Sequence, residues 1–123
     1  MGPDIEVLTD ENYGQADARQ GVTVIDFWAA WRGPCRIMAP QFKRAAELRP
    51  QHHFAKVDVK FQPALAARFG IQSIPTLAVL GDGELVATQS GVLRADQLVE
   101  ALDRITADPG FSGSVVAGAK AAA

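Results

Sequence analysis

The chain has 123 residues, 48% of them hydrophobic, which suits one domain with a single core. Its formal net charge of −2 and its scattered basic residues exclude the basic stripe that a nucleic-acid partner would need. Because it has one cysteine and two adjacent histidines, we expect neither an internal disulfide nor a metal site.

The first predicted elements are a short edge strand, a helix and a central strand. Residues 5–8 are typical of a strand, and Thr9 or Asp10 can cap a helix that runs to about residue 19. Residues 22–28 are dense in β-branched and aromatic side chains, which indicates a strand buried on both faces. Asp26 is the exception in this strand. A carboxylate in apolar surroundings is costly, so we expect it to stay protonated or to find a partner.

The longest predicted helix covers residues 35–49, where apolar side chains recur at helical spacing. Pro34 suits its first turn, where the missing N–H costs nothing, whereas Pro40 lies inside the helix and should kink it. Residues 54–59 then alternate as a strand, and residues 62–69 indicate a short helix. This order predicts a βαβ unit.

A hairpin and a final helix complete the predicted domain. Residues 76–80 and 84–88 are apolar runs on either side of a Gly-Asp-Gly turn, and the last helix spans about residues 94–106. The whole order packs as a mixed central sheet with helices on both faces. We expect this domain to cover residues 1–108, and residues 109–123, rich in Gly, Ser and Ala, to form a flexible tail.

The sequence gives no indication of a membrane segment. No apolar run approaches the roughly 20 residues that span a bilayer, and the N-terminus lacks the basic and apolar regions of a secretory signal. We therefore expect a cytoplasmic protein that does not contact a membrane.

The chain resembles the thioredoxin family in three segments of matching order and spacing: DFWAAWRGPC at residues 26–35, SIPT at residues 73–76 and SG at residues 90–91. The resemblance extends over about residues 4–107, and the stretch at residues 67–76 is similar to the bacterial thioredoxin-2 branch. It implies an α/β thioredoxin fold, a central mixed five-stranded sheet flanked by about four helices. It also implies a relationship to protein-disulfide reductases.

One position departs from the family pattern. Thioredoxins carry Cys-Gly-Pro-Cys, and this chain has Arg32 where the first, attacking cysteine stands. Thiol-disulfide exchange needs that sulfur to attack and a second sulfur to resolve the mixed disulfide. The resemblance therefore makes Cys35 a resolving thiol without its partner, covered within the motif and unable to reach a client disulfide unless Arg32 swings away.

The resemblance assigns roles to two further charged residues. Asp26 would exchange protons with Cys35, and Lys56 would modulate the charge of Asp26. Asp26 and Cys35 are thus the expected catalytic residues. The alternative is that Asp26 is paired for purely structural reasons, with Lys56 or through water with Arg32.

The resemblance also implies a groove for an extended client. A cis peptide between Ile74 and Pro75 would leave the Ile74 backbone free to pair with the client, whereas the alternative is a trans proline that opens a strand. Trp28 is expected on the core side. Gly91 would allow a client backbone to approach closely, or is a plain turn residue. The expected substrate-binding residues are Trp31, Arg32, Gly33, Pro34, Ile74, Pro75 and Gly91.

Three functional hypotheses remain open at this point. The chain is an oxidoreductase whose Arg32 is a single change on a competent scaffold, a natural single-thiol variant that exchanges with glutathione or persulfides, or a non-catalytic module that binds peptides or proteins. The expected partners are protein or peptide clients, with thioredoxin reductase or glutathione as candidate reductants. We expect a monomer without a cofactor.

Overall fold

The computed structural model describes residues 5–31 and 33–107. Its elements follow the predicted order, and their bounds differ from the prediction by a few residues at most, except for the first helix. The strands are β1 (Ile5–Val7), β2 (Val22–Trp28), β3 (His53–Asp58), β4 (Thr76–Gly81) and β5 (Glu84–Ser90). The helices are α1 (Tyr13–Ala18), α2 (Gly33–Leu48), α3 (Pro63–Arg68) and α4 (Ala95–Ala107).

The five strands form one mixed sheet in the order β1-β3-β2-β4-β5, so β2 is central as predicted. β3 runs parallel to both β1 and β2, whereas β4 is antiparallel to β2 and to β5. The first six residues of β2 are all buried. Within this register, Asp26 lies between Lys56 on one side and Leu77 on the other.

Two apolar cores cover the two faces of the sheet. Because side chains alternate along a strand, Val24 of β2 packs in the core under α2 and α4, and Ile25 packs in the core under α1 and α3. Asp26 has the same parity as Val24 and therefore faces the α2 side. The α2 side also contains Met38, Phe42, Leu98 and Leu102, and the α1 side contains Leu8, Tyr13, Phe27 and Leu65.

The longest helix, α2, carries a buried stripe on one side. Cys35, Met38 and Phe42 lie on this stripe at spacings of three and four residues. Ile37 is also apolar and lies within the predicted helix, but it is 59% exposed because it projects away from the sheet. Pro40 lies inside the helix, and the kink expected there stays a prediction.

The hairpin between β4 and β5 closes through a two-residue turn. Asp82 and Gly83 both have left-handed backbones, with φ of 52° and 86°, the conformation that a tight hairpin turn of this kind requires. The Asp82 side chain accepts a hydrogen bond of 2.7 Å from the Gly21 N–H, which ties the turn to the start of β2.

The predicted cap of the first helix is wrong. α1 begins at Tyr13, after a turn in which the Thr9 hydroxyl accepts the N–H groups of Glu11 and Asn12. Asp10 instead serves another helix, since its carboxylate accepts a 3.0 Å hydrogen bond from the Leu65 N–H in the first turn of α3. The sequence prediction failed because the fold brings together two residues that are 55 positions apart, a contact that a local pattern does not indicate.

Two further expectations concern the chain ends and the membrane. Residues 109–123 lie outside the described residues, so the division into a domain and a tail stays a prediction. In the part of the chain that the structure describes, no helix combines the length and apolar character that a bilayer crossing would need.

Asp10→Ala should lower the free energy of unfolding by about 1 kcal/mol, because the substitution removes an acceptor from an otherwise unsatisfied helical N–H. The matched control is Glu11→Ala, since Glu11 is exposed and is not an acceptor for α3. Urea denaturation of both variants measures the effect. Equal stability of the two variants would show that Asp10 does not cap α3.

Candidate active site

The WRGPC motif follows the central strand directly. β2 ends at Trp28 and α2 begins at Gly33, so the motif lies at the carboxyl end of β2 and the amino end of α2. Trp31 is 63% exposed, whereas Cys35, in the first turn of α2, is only 4% exposed. Arg32 lies outside the described residues, and its expected roles stay predictions.

Asp26 is enclosed without a hydrogen-bond partner for its Oδ1 atom in the described part of the chain. Its burial raises the pKa from the usual value of 3.8 to about 7, and the positive charge of Lys56 opposes this rise. Desolvation dominates because the carboxyl group is 4% exposed. Asp26 therefore changes its charge near neutral pH, as a group that exchanges protons would.

Lys56 also contacts an aromatic ring at the end of β2, the strand that leads to the motif. Its Nζ atom lies 5.4 Å from the centroid of the Trp28 ring, a cation–π distance. The Nε1 atom of Trp28 is buried without a hydrogen-bond partner among the described residues, although the side chain as a whole is only half-buried. Two buried polar atoms, Asp26 Oδ1 and Trp28 Nε1, thus lie on alternate residues of the strand that leads into the motif.

The Ile74–Pro75 peptide is cis. Pro75 is buried and Ile74 half-buried, and within residues 5–31 and 33–107 neither the N–H nor the carbonyl of Ile74 has a backbone partner. Gly91 donates its N–H to the Pro75 carbonyl at 2.9 Å, with a φ of 93° that favours glycine. This geometry agrees with the turn interpretation of Gly91, and its contact with a client stays a prediction.

A cavity of about 210 Å³ lies between Trp31 and the cis-proline loop, residues 71–75. Trp31 and Ile74 were predicted in the client groove. None of the other five lining residues is a predicted site residue: Val59, Ala66, Ile71, Gln72 and Ser73. Val59 follows β3, Ala66 lies in α3, and the other three lie in the loop between α3 and β4. This loop belongs to a stretch that carries the resemblance, whereas no local sequence pattern distinguishes Val59 and Ala66 from other surface residues.

A larger cleft of about 580 Å³ lies away from the motif, at the start of β3. It is lined by His52 and His53 together with Glu6 and Arg19, which form an ion pair at 2.9 Å. Burial lowers the pKa of His52. None of the predicted site residues lines this cleft, and among the described residues no three metal-ligating side chains form a group.

Comparison with known protein families gives a match to the family model described as thioredoxin over residues 4–104. The chain is 42% identical over 95 residues to a putative thioredoxin 2 of Streptomyces coelicolor, covering 77% of this chain and 71% of that protein. It is 37% identical over 97 residues to a thioredoxin of Bacillus subtilis, covering 78% of this chain and 92% of that protein.

Solved structures give the same result. The fold is similar to that of a chloroplastic thioredoxin z, with a TM-score of 0.77, 28% identity and coverage of 87% of this chain and 98% of that one. It is also similar to a thioredoxin of Malassezia sympodialis, with a TM-score of 0.75, 30% identity and coverage of 85% and 91%. The predicted mixed five-stranded sheet with four helices is confirmed.

Asp26→Asn should stabilise the protein at about pH 8 and have little effect near pH 4. The folded state keeps the Asp26 proton up to about pH 7, whereas the unfolded chain releases it near pH 3.9. The contribution of Asp26 to the free energy of unfolding is therefore fully present at low pH. It falls by about 2–4 kcal/mol as the pH rises from about 4 to 7. Urea denaturation at both pH values measures the difference, and a pH-independent difference would contradict the prediction.

Proposed function

Because the chain belongs to the thioredoxin family, we propose that it is a client-binding relative of the thiol-disulfide oxidoreductases whose own chemistry is limited to one thiol. The observation that carries this proposal is the state of its single sulfur. Cys35 is the only cysteine in the sequence, and it is 4% exposed. The degenerate active site has Arg32 in the position of an attacking thiol.

The chemistry of exchange explains why one thiol is insufficient. An attacking thiolate forms a bond to one sulfur of the client disulfide, and the other client sulfur leaves as a thiolate. The resulting mixed disulfide is released only when a second thiol attacks it. This chain has no second thiol, so any mixed disulfide of Cys35 needs an external thiol such as glutathione for its release.

The surroundings of Cys35 support impaired rather than absent chemistry. Its burial in the α2 stripe restricts the approach of a protein disulfide along the S–S axis. Asp26 faces the same side of the sheet and titrates near neutral pH, which suits a group that accepts or supplies the Cys35 proton. In this proposal Cys35 and Asp26 are the catalytic residues, and Lys56 adjusts the charge of Asp26.

The client groove is formed by the exposed Trp31, the free backbone of Ile74 and the turn at Gly91. An extended segment can pair with the Ile74 N–H and carbonyl, as a strand pairs with a sheet edge. The 210 Å³ cavity beside Trp31 has room for one apolar client side chain. Gly33 and Pro34, which lie within the motif, are exposed at the start of α2.

The proposed partners are based on membership in the thioredoxin family. Protein or peptide clients are the proposed substrates, and thioredoxin reductase or glutathione the proposed source of electrons. Monomeric state, cytoplasmic location and the absence of a cofactor stay predictions.

A second candidate function is a non-catalytic module that binds peptides or proteins. The burial of Cys35 favours it, because Trp31 of the groove is 63% exposed whereas Cys35 is 4% exposed. In that case the thiol contributes packing to the core and nothing to the affinity for clients.

If the module hypothesis holds, Cys35→Ser should leave the dissociation constant of a bound client peptide unchanged within about twofold, whereas Trp31→Ala should weaken binding, because Trp31 supplies exposed apolar contact area. Fluorescence anisotropy of a labelled peptide measures both. Loss of binding in Cys35→Ser would favour the single-thiol hypothesis instead.

Arg32→Cys should restore disulfide reductase activity, because it supplies the attacking sulfur at the start of α2, where the helix terminus favours a thiolate. Insulin reduction with dithiothreitol as electron donor measures the rate. The native chain should not exceed the rate of dithiothreitol alone. Arg36→Cys is the matched control, since it adds the same thiol on an exposed position of the same helix.

Native activity equal to that of Arg32→Cys would overturn the proposal that one thiol limits the chemistry. A variant Arg36→Cys as active as Arg32→Cys would show that the position of the added sulfur is unimportant. Circular dichroism of each variant checks that it is folded, so that a low rate is not caused by unfolding.

A further inference from the structure

Three hydroxyl side chains meet where the cis-proline loop joins the hairpin. Thr76 Oγ1 donates a hydrogen bond of 2.7 Å to the carbonyl of Ser73. Ser73 Oγ donates to Ser90 Oγ at 3.3 Å, and the oxygens of Ser90 and Thr76 lie 3.2 Å apart. Thr76 and Ser90 are register partners in β4 and β5.

Each hydroxyl group has one proton, and this determines which oxygen is the donor in each of these hydrogen bonds. The single hydroxyl proton of Thr76 is used on the Ser73 carbonyl, so Ser90 must be the donor in its bond to Thr76. Ser90 in turn accepts from Ser73. The three bonds run from the Ser73 hydroxyl through Ser90 and Thr76 to the Ser73 carbonyl, and the covalent atoms of Ser73 close the ring. We call this arrangement the hydroxyl ring.

The hydroxyl ring connects the residues on either side of the segment that the client would contact. Ile74 and Pro75 lie between Ser73 and Thr76, so both ends of this segment are held while the Ile74 backbone groups stay unbonded within the described part of the chain. Ser73 and Ile74 also line the 210 Å³ cavity beside Trp31. The ring thus restrains one wall of the client groove without occupying it.

Ser90 is the member of the ring that stands apart from the loop. It lies 14 residues from Thr76 and 17 from Ser73 along the chain, at the end of β5. Its neighbour Gly91 bonds the Pro75 carbonyl at 2.9 Å, so two adjacent residues of the β5 end hold the loop. The side chain of Ser90 adds a second link between Ser73 and Thr76, beside their direct hydrogen bond of 2.7 Å.

We propose that Ser90 is a positioning residue for client binding, which acts through the hydroxyl ring to hold the Ile74 backbone in the orientation that pairs with an extended client. This inference rests on the proposed function, since it assumes that clients bind at Ile74. A restrained loop loses less conformational freedom on binding than a mobile one, so Ser90 raises the affinity for the client through this restraint.

The test compares two variants of similar shape, Ser90→Thr and Ser90→Val. Both side chains are β-branched, and only threonine keeps the hydroxyl group. Thr88→Val is the control, because it makes the same exchange of hydroxyl for methyl on β5 outside the hydroxyl ring. The probe is a short, extended, fluorescein-labelled peptide with apolar residues on both sides of a central serine, and its dissociation constant is measured by anisotropy.

Ser90→Val should raise the dissociation constant by about threefold to tenfold, the effect of losing one or two exposed hydrogen bonds that hold the loop. Ser90→Thr and Thr88→Val should remain within about twofold of the native chain. The melting temperatures of all four proteins are measured in parallel. Rescue by threonine at similar melting temperatures separates positioning from a general loss of stability.

Each outcome decides between the two proposals. Equal affinity of Ser90→Val and Ser90→Thr, with the native chain binding the peptide, overturns the role of Ser90 and leaves the proposed function intact. A native chain that does not bind the peptide overturns the proposed client groove, and the inference fails with it.

Discussion

The burial of β2 on both faces is the constraint on which the rest of the structure depends. This strand lies at the centre of the sheet, with one core above it and another below. A polar side chain in such a strand cannot reach water, so Asp26 keeps its proton to about pH 7. The same strand ends at Trp28, so the WRGPC motif lies beyond its carboxyl end. The strand at the centre of the core therefore also carries the buried carboxyl group and leads into the motif.

The burial of Cys35 follows from helical geometry. Residues 35, 38 and 42 lie on one side of α2, and that side must cover the sheet. Cys35 is therefore the first residue of a core stripe as much as a member of the candidate site. A thiol in this position is shielded from solvent, and Cys35 is 4% exposed. The helix that positions the sulfur thus also encloses it.

Local patterns predicted the elements well because each reflects a strong, short-range preference. The β-branched run of residues 22–28 and the Gly-Asp-Gly turn of the hairpin are both confirmed. The errors concern contacts between distant segments. Asp10 satisfies an N–H of α3, 55 residues away, although its sequence position suggested a cap for α1.

The candidate site was predictable to a similar extent. The resemblance predicted the cis Ile74–Pro75 peptide and the exposed Trp31, and both are present in the structure. The hydroxyl ring and the lining of the cavity at Val59 and Ala66 could not be found in this way. They depend on the packing of segments that no local pattern connects.

The sulfur and the cis-proline loop are held by different parts of this fold. Cys35 belongs to α2 and the buried carboxyl group of Asp26 to β2, whereas the loop at Ile74 and Pro75 is held by the ends of β4 and β5. No hydrogen bond of the hydroxyl ring involves a residue of the WRGPC motif that the structure describes. The hydrogen bonds that restrain the loop around Ile74 therefore do not depend on the described residues of the motif. In the proposed groove, the wall formed by this loop keeps its shape whether or not the chain completes thiol-disulfide exchange.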